Sequence, residues 1–140
     1  MTLSAAELEV GQTFDQVLVE DLKRTQLVQY AGASGDYNPL HSDEVYTTEI
    51  AGYPSVFAHG MLTMGMTGRV ITDMVGDGRL LEYGGRFTAQ VWPGDTLTAT
   101  ATVTAVEERD GAPVACFEIA TTNQDGAVVF AATAVARIDA

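Results

Sequence analysis

Two histidines, His41 and His59, are the only imidazoles in the 140-residue chain. His41 follows Asp36 by five residues across the bend Tyr-Asn-Pro-Leu. A five-residue separation across a turn can direct both side chains into one cleft. There a carboxylate and an imidazole can each accept a hydrogen bond from one water molecule, and the carboxylate can tune the pKa of the imidazole. Asp36 and His41 are therefore candidates for a general acid–base pair.

The same bend has a simpler interpretation. Its aspartate could only cap a backbone amide, and its histidine could only fill space at the surface or in the core. Asn38, inside the bend, can orient the backbone or a water molecule without titrating. The spacing alone leaves both interpretations open.

His59 and Gly60 lie where the most apolar helix of the chain is predicted to begin. The first N–H groups of a helix have no acceptor within it, and its positive dipole end favours negative charge. Gly60 permits close approach of a substrate oxygen, such as the enolate formed when a nucleophile adds to a double bond conjugated with a thioester. Alternatively, Gly60 only eases the chain into the helix.

Three other kinds of site are not supported. A His-Glu-x-x-His pattern is absent, so we expect no metal centre. Nucleophilic catalysis has no Gly-x-Ser-x-Gly pattern, and Cys116, in a predicted strand beside Phe117, is expected in the core. Gly65 and Gly68 lie in the predicted helix and do not form a phosphate-binding loop, so close approach of a backbone or ligand would explain them.

Charge excludes further classes. The chain has 19 acidic and 7 basic residues and a net charge of −12, which is unsuited to binding nucleic acid. An anionic ligand would need arginines that gather locally, from among Arg24, Arg69, Arg79 and Arg86. The length and the 46% hydrophobic content predict one folded domain over residues 1–140.

We expect a cytoplasmic protein. The first nine residues lack a basic start and an apolar run, and the single cysteine cannot form an internal disulfide. The longest apolar stretch, 61–75, contains Arg69 and Asp73 and is too short to span a membrane. It is predicted instead to be a buried helix, in which Met61, Met64 and Met66 pack in the core or line an acyl channel.

Turn sequences divide the second half of the chain into four predicted strands, at about 79–92, 96–107, 113–123 and 127–138. We predict that they form a meander. Threonines alternate with apolar residues between Thr96 and Ala105, so this strand has one wet face. The last strand has little polar surface on either face, which indicates burial on both and hints at a partner subunit.

The first half has an opening strand at 11–20 and two short helices. Thr25 is predicted to cap one helix and Ser42 the other, which Gly52 and Pro54 end. The longest helix begins near Gly60 and is apolar around much of its circumference, so other elements must wrap it. We predict one α+β domain in which an antiparallel sheet curls over a central apolar helix.

Two segments resemble the MaoC-like (R)-specific enoyl-thioester hydratases and dehydratases: Tyr-Ala-Gly-Ala-Ser-Gly-Asp-Tyr-Asn-Pro-Leu-His at 30–41 and Ala-His-Gly-Met-Leu at 58–62. The catalytic subunits of actinobacterial (3R)-hydroxyacyl-ACP dehydratases are especially similar. The likeness extends from the Val-Gly at 10–11 through the Pro-Gly-Asp at 93–95 to the final strand. Gly-Asp-x-Asn-Pro-Leu-His is its specific part, since a Pro-Gly-Asp turn is common.

The resemblance implies a hotdog fold, with a curved sheet around one long helix, and pairing into a homodimer or heterodimer of hotdog subunits. It implies that Asp36 and His41 are the catalytic pair and that the Gly60 amide is the oxyanion donor. Asn38 and His59 are expected to assist substrate binding. Several family members have a serine where this chain has Gly68. The role of that serine is then absent, or taken by the threonines at 63 or 67, and Thr47 replaces the usual alanine or serine.

The expected reaction is reversible syn hydration of trans-2-enoyl thioesters, of CoA or acyl carrier protein, to (3R)-hydroxyacyl thioesters. No cofactor or metal is expected. The alternatives are an acyl-thioester hydrolase, which the hotdog fold also hosts, and a non-catalytic acyl-binding subunit of a heterodimer.

Overall fold

The computed structural model describes residues 2–140, so Met1 of the predicted domain lies outside the described part. Two α-helices and five strands form its framework: β1 Thr13–Val19, α1 Arg24–Ser34, α2 Gly60–Val75, β2 Leu80–Phe87, β3 Leu97–Arg109, β4 Ala112–Thr122 and β5 Val128–Arg137. Between the α-helices lie a 3₁₀ turn, Pro39–His41, and a π-helical segment, Tyr46–Ile50. None of the helices in this described part is long and apolar enough to cross a membrane.

The strands form one antiparallel sheet in the order β1-β3-β4-β5-β2. The predicted meander is correct for β3, β4 and β5 and wrong for β2, which pairs with β5 at the far edge. Strand β2 also ends at Phe87, five residues earlier than predicted. The chain leaves the sheet there because Val91 and Asp95 accept backbone hydrogen bonds from Ala58 and Leu22 instead.

Helix α2 lies inside the curved sheet and contacts both edge strands, β1 and β2. It begins at Gly60, as predicted, and buries Val70, Ile71 and Val75 completely or nearly so. The predicted alternation in β3 is also confirmed, because its apolar residues from Leu97 to Val103 are buried and its threonines are not. A sheet that curls around one helix is the predicted α+β arrangement and the hotdog fold that the resemblance implied.

Strand β5 is buried on both faces only near its end, at residues 134–136, and not in its middle. Its residues Ala131 and Thr133 are exposed, whereas Phe130 and Ala132 on the other face pack in the core. Cys116, which was expected in the core, is only half-buried. It lies next to an irregularity in the pairing of β3 with β4. Both predictions relied on apolar composition, which does not distinguish the two faces of a strand whose outer residues are small.

Both predicted helix caps are displaced by one or two residues. Helix α1 begins before Thr25, and the backbone N–H of Lys23 bonds the Gln26 side chain at 2.9 Å. In the second segment Asp43, not Ser42, accepts the hydrogen bond that caps the turn, from a backbone N–H 3.0 Å away. Asp43 caps the turn because its carboxylate reaches the backbone N–H three residues ahead.

The glycines inside α2 are explained only in part. A Cβ atom at Gly68 would lie 3.0 Å from the Tyr83 ring, so a side chain rather than a backbone or ligand makes the close approach. The Tyr83 hydroxyl donates to the Met64 carbonyl at 2.6 Å, and burial raises the pKa of Tyr83 to about 12. Gly65 has nothing within 4 Å of its missing Cβ, and nothing in the structure explains it.

Two adjacent glycines in β2 make a matched test of the packing. A Cβ at Gly85 would lie 2.3 Å from the Ala131 carbonyl oxygen, whereas one at Gly84 would meet nothing within 4 Å. We expect Gly85→Ala to lower the free energy of unfolding by about 2–3 kcal/mol because the backbone of β5 must move. Gly84→Ala is the control, with an expected change below about 1 kcal/mol. Urea unfolding measures both, and equal effects would contradict this account of β2.

Candidate active site

The bend at 36–41 brings Asp36 and His41 together. Helix α1 stops at Gly35, whose φ of +75° favours glycine, and Asp36 is the next residue. His41 ends the 3₁₀ turn that follows. A carboxylate oxygen of Asp36 and one ring nitrogen from each of His41 and His59 all lie within 4.8 Å of one another. The two predicted acid–base side chains therefore face a common space, and His59 joins them.

Asn38 fixes the shape of the bend. Its backbone N–H donates to Asp36 Oδ1 at 3.2 Å, and its own side-chain oxygen accepts from the Leu40 N–H at 3.1 Å. The simpler interpretation of the bend is thus true of one oxygen of Asp36, which caps a backbone amide. The other carboxylate oxygen has no hydrogen bond from residues 2–140 and is free to accept one from water.

His41 is oriented by a backbone carbonyl. Its Nδ1 lies 2.6 Å from the carbonyl oxygen of Phe57, so Nδ1 carries the proton and donates it. In the neutral ring this leaves Nε2 with a free lone pair, which can accept a hydrogen bond or a proton. The Phe57 ring also packs edge-on against His41, with centroids 5.4 Å apart. The structure thus leaves one ring nitrogen of His41 available for chemistry.

His59 is buried beneath this pair. Only 2% of its surface is exposed, its ring stacks on His41 with centroids 3.9 Å apart, and its Nε2 donates to the Asp36 backbone carbonyl at 3.1 Å. Burial lowers the pKa of His59, and the neighbouring His41 acts in the same direction more weakly. His59 is therefore a neutral positioning group for the loop that bears Asp36.

Gly60 begins α2 directly after His59, and its N–H has no acceptor within the helix. The expected open approach to this glycine is only partly present. A Cβ atom at Gly60 would lie 2.9 Å from the Phe87 ring, so that ring already occupies the space over the α-carbon. Gly60 is needed for this packing, whatever else it does.

A cavity of about 350 Å³ adjoins Gly60. Its wall is mostly apolar and includes Phe57, which also orients His41; the lining residues are Phe57, Ala58, Gly60, Thr63, Phe87, Thr88, Ala89, Gln90, Val91 and Val129. None of the three methionines at 61, 64 and 66 lines it. Met64 and Met66 pack against the core, and Met61 is 56% exposed, so the cavity is not the methionine-lined channel considered above.

The sequence did not identify the part played by Phe57. It acts on His41 through a backbone carbonyl, which any residue type supplies, so no residue pattern could have revealed it. The position of the family serine, Gly68, is also accounted for: Tyr83 fills the space beside it. Of the two threonines considered as substitutes, Thr67 bonds the Thr121 hydroxyl at 2.7 Å, and Thr63 Oγ1 is buried without a partner among residues 2–140.

Three of the four arginines named as possible anion ligands already have a carboxylate partner. Arg24 pairs with Glu44, Arg69 with Asp73 and Arg79 with Asp139. The Asp36, His41 and His59 cluster has the donor types that a cation uses, a carboxylate and two imidazoles. Two of their four ring nitrogens already donate to backbone carbonyls. The absence of a metal centre stays a prediction.

The lowered pKa of His59 gives a direct test. In the unfolded chain an imidazole titrates near pH 6.5, whereas folded His59 should stay neutral to a lower pH. Protons then bind the unfolded chain first, so the free energy of unfolding should fall as pH drops below about 6.5. NMR titration of the two histidines measures the pKa of His59 in the folded chain. A value at or above that of a free imidazole would contradict the assignment.

Comparison with known proteins shows the family. A profile described as "MaoC like domain" matches residues 5–127. A 3-hydroxyacyl-thioester dehydratase from Mycobacterium tuberculosis is 43% identical over 68 residues, which cover 46% of this chain and 23% of that protein. The (R)-specific enoyl-CoA hydratase of Aeromonas caviae is 30% identical over 138 residues, 97% of this chain and 99% of its own length. The structure of R-hydratase PhaJ1 from Pseudomonas aeruginosa superposes with a TM-score of 0.86 and 28% identity, covering 99% of this chain and 86% of that one.

The chain spans less than a quarter of the length of the first three curated relatives that it matches. The match to the Aeromonas protein, in contrast, is end to end. The matched profile includes the bend that bears Asp36 and His41, the beginning of α2 and most of the sheet. The chain belongs to the MaoC-like domain family.

Proposed function

We propose that this chain is an (R)-specific enoyl-thioester hydratase, which in reverse is a 3-hydroxyacyl-thioester dehydratase. The observation that carries the proposal is the approach of the Asp36 carboxylate and a His41 ring nitrogen to within 4.8 Å. Relatives that match over 71% and 97% of the chain are named (R)-specific enoyl-CoA hydratases, which supports the same reaction. Residues 1–140 then act as one MaoC-like domain.

The spacing of the pair suits one water molecule. A water that donates one hydrogen to each of two acceptors holds them roughly 4.4 Å apart when each hydrogen bond is about 2.8 Å long. The carboxylate oxygen of Asp36 and the Nε2 of His41 that have no other partner among residues 2–140 are the two acceptors proposed for this water. Because both hydrogens of the water are then engaged, its lone pairs point away from the pair and toward substrate.

The reaction follows from that geometry. One member of the pair removes a proton from the water as its oxygen bonds to C3 of the enoyl thioester. The electron pair of the C2–C3 double bond moves toward the carbonyl and places negative charge on the thioester oxygen. When the electron pair returns from the thioester oxygen to C2, C2 takes a proton from the same acid–base pair. This step completes the (3R)-hydroxyacyl thioester. Both additions occur on one face of the substrate because Asp36 and His41 lie together on one side.

Gly60 and the cavity account for substrate binding. The free N–H at the beginning of α2 is the proposed donor to the thioester oxygen as that oxygen gains charge. The adjoining 350 Å³ cavity is large and apolar enough for an acyl chain. Asn38 shapes the loop, and His59 holds it through the Asp36 carbonyl. Gly60 and the cavity thus bind the substrate, whereas Asn38 and His59 position the loop that bears Asp36. No step in this scheme uses a cofactor.

The substrate class is a thioester of CoA. Two relatives matched over 69% and 99% of their own lengths carry that carrier in their names, whereas the 3-hydroxyacyl-thioester dehydratase from M. tuberculosis is named only for a thioester. The net charge of −12 disfavours CoA and acyl carrier protein alike, because both are anionic. Acyl carrier protein is therefore the second carrier to assay.

The edge of β2 is the proposed subunit interface, for a second copy or a related hotdog subunit. It is an unpaired sheet edge in the described chain, and it carries Leu81 and Phe87, which are 44% and 49% exposed. Phe87 also packs on Gly60. Pairing through this edge would cover apolar surface beside the candidate active site.

The acid–base role is tested with crotonyl-CoA. We expect Asp36→Asn and His41→Ala each to lower kcat for hydration, measured by loss of enoyl absorbance, by about 100-fold or more. Asp43→Asn is the matched control, since this exposed aspartate only caps a neighbouring turn and asparagine caps as well. We expect its rate to stay within about twofold of wild type.

The same assay separates the other two functions. A hydrolase would release free thiol without net formation of hydroxyacyl product. A non-catalytic subunit would be inactive alone and would leave the rate of its complex unchanged by His41→Ala. Either result would contradict the proposal.

The interface is tested by sedimentation velocity. Pairing of two copies predicts a species of twice 14.8 kDa. Leu81→Glu should shift this species toward the monomer, because a charge cannot remain buried in the interface unpaired. Val17→Glu, on the opposite edge strand and 53% exposed, is the control and should leave the dimer intact. A wild-type chain that stays monomeric would exclude self-pairing.

A further inference from the structure

Thr63 is the feature of the site that the proposed function has not used. Its side chain is 2% exposed, and its hydroxyl has no hydrogen-bond partner among residues 2–140. A buried hydroxyl without a partner destabilises the folded chain, so proteins keep few of them. Thr67, one turn further along α2, shows the usual solution, because its hydroxyl bonds that of Thr121 at 2.7 Å. The Thr63 hydroxyl therefore lacks a hydrogen-bond partner within the described chain, and a ligand can supply one.

Thr63 and Gly60 face the same cavity. They are three residues apart on α2, a spacing that places both on one face of a helix. Helical side chains lean toward the N-terminus, so the side chain at 63 lies over the turn that begins at Gly60. An acceptor oxygen at the mouth of the cavity can therefore be within reach of both the Gly60 N–H and the Thr63 hydroxyl.

His59 is not a hydrogen-bond partner of the Thr63 hydroxyl. The two residues are four apart, and His59 Nδ1 is also buried without a partner, yet no hydrogen bond joins them. The other threonine of the cavity, Thr88, donates its hydroxyl to the Val128 carbonyl at 2.6 Å. Of the two threonine hydroxyls in the cavity wall, that of Thr63 is therefore the one without a hydrogen-bond partner in the described part of the chain.

We propose that the Thr63 hydroxyl is a second hydrogen-bond donor to the thioester carbonyl oxygen, beside the Gly60 N–H. This inference rests on the hydratase function proposed above. When water oxygen bonds to C3, the displaced electron pair reaches this oxygen, and two donors stabilise the resulting negative charge better than one. The pair returns to form the C2–H bond as C2 is protonated, and the Thr63 proton stays on its own oxygen throughout.

The test compares three variants in crotonyl-CoA hydration and in thermal unfolding. Thr63→Val removes the hydroxyl at nearly constant shape. We expect its kcat to fall by about 100-fold with KM within about threefold, as for loss of an oxyanion donor. Its unfolding temperature should equal or exceed that of wild type, because an unpartnered buried hydroxyl has been removed. Thr63→Ser retains a hydroxyl and should stay within about tenfold of the wild-type kcat.

Thr67→Val is the control in the neighbouring turn. It leaves the Thr121 hydroxyl unpaired, so we expect a lower unfolding temperature with kcat within about threefold of wild type. A merely structural role for Thr63 would give the same pattern in Thr63→Val, and that result would overturn the inference. So would a Thr63→Val enzyme with unchanged kcat, or a serine variant as slow as the valine variant. A wild-type chain that does not hydrate crotonyl-CoA would instead overturn the proposed function, and this inference with it.

Discussion

The arrangement of the site depends on the hydrogen bond from His59 Nε2 to the backbone carbonyl of Asp36. It joins two segments 23 residues apart, the loop that bears the carboxylate and the beginning of the central helix. Burial keeps the pKa of His59 low, so the ring remains neutral. The stacked His41 ring, held in turn by the Phe57 carbonyl, then has a defined position relative to Asp36. Two imidazoles and two carbonyls thus set the separation of the proposed acid–base pair.

The fold supplies the rigid side of this arrangement. Helix α2 contacts both edges of the curved sheet, and the Phe87 ring of β2 packs against its first residue, Gly60. The extended segment after β2 bonds the chain just before α2, from Ala58 N–H to the Val91 carbonyl at 2.8 Å. That bond explains why β2 ends early, and it places the wall of the cavity next to Gly60. The topology of the sheet and the position of the proposed substrate cavity are therefore parts of one arrangement.

Local patterns in the sequence predicted the central helix, β3, β4 and β5, because their periodicity and turns are encoded within a few residues. The partner of β2 depends on contacts between distant segments, and the meander prediction failed for that strand. At the site, the bend and the first residue of α2 were predicted from their residue types. The Phe57 carbonyl and the Phe87 ring over Gly60 were not, because one is backbone and the other comes from the sheet edge.

Stereochemistry tests the central claim most directly. If one acid–base pair on one side of the substrate supplies both the hydroxyl and the proton, crotonyl-CoA hydrated in D₂O should give one stereoisomer. NMR of the product should then show the 3R configuration at C3, with deuterium at C2 on the face that received the hydroxyl oxygen. Deuterium on the opposite face would show that the two additions come from different sides, and a 3S product would show that water attacks the other face of the double bond. Either result would contradict the roles proposed for Asp36 and His41.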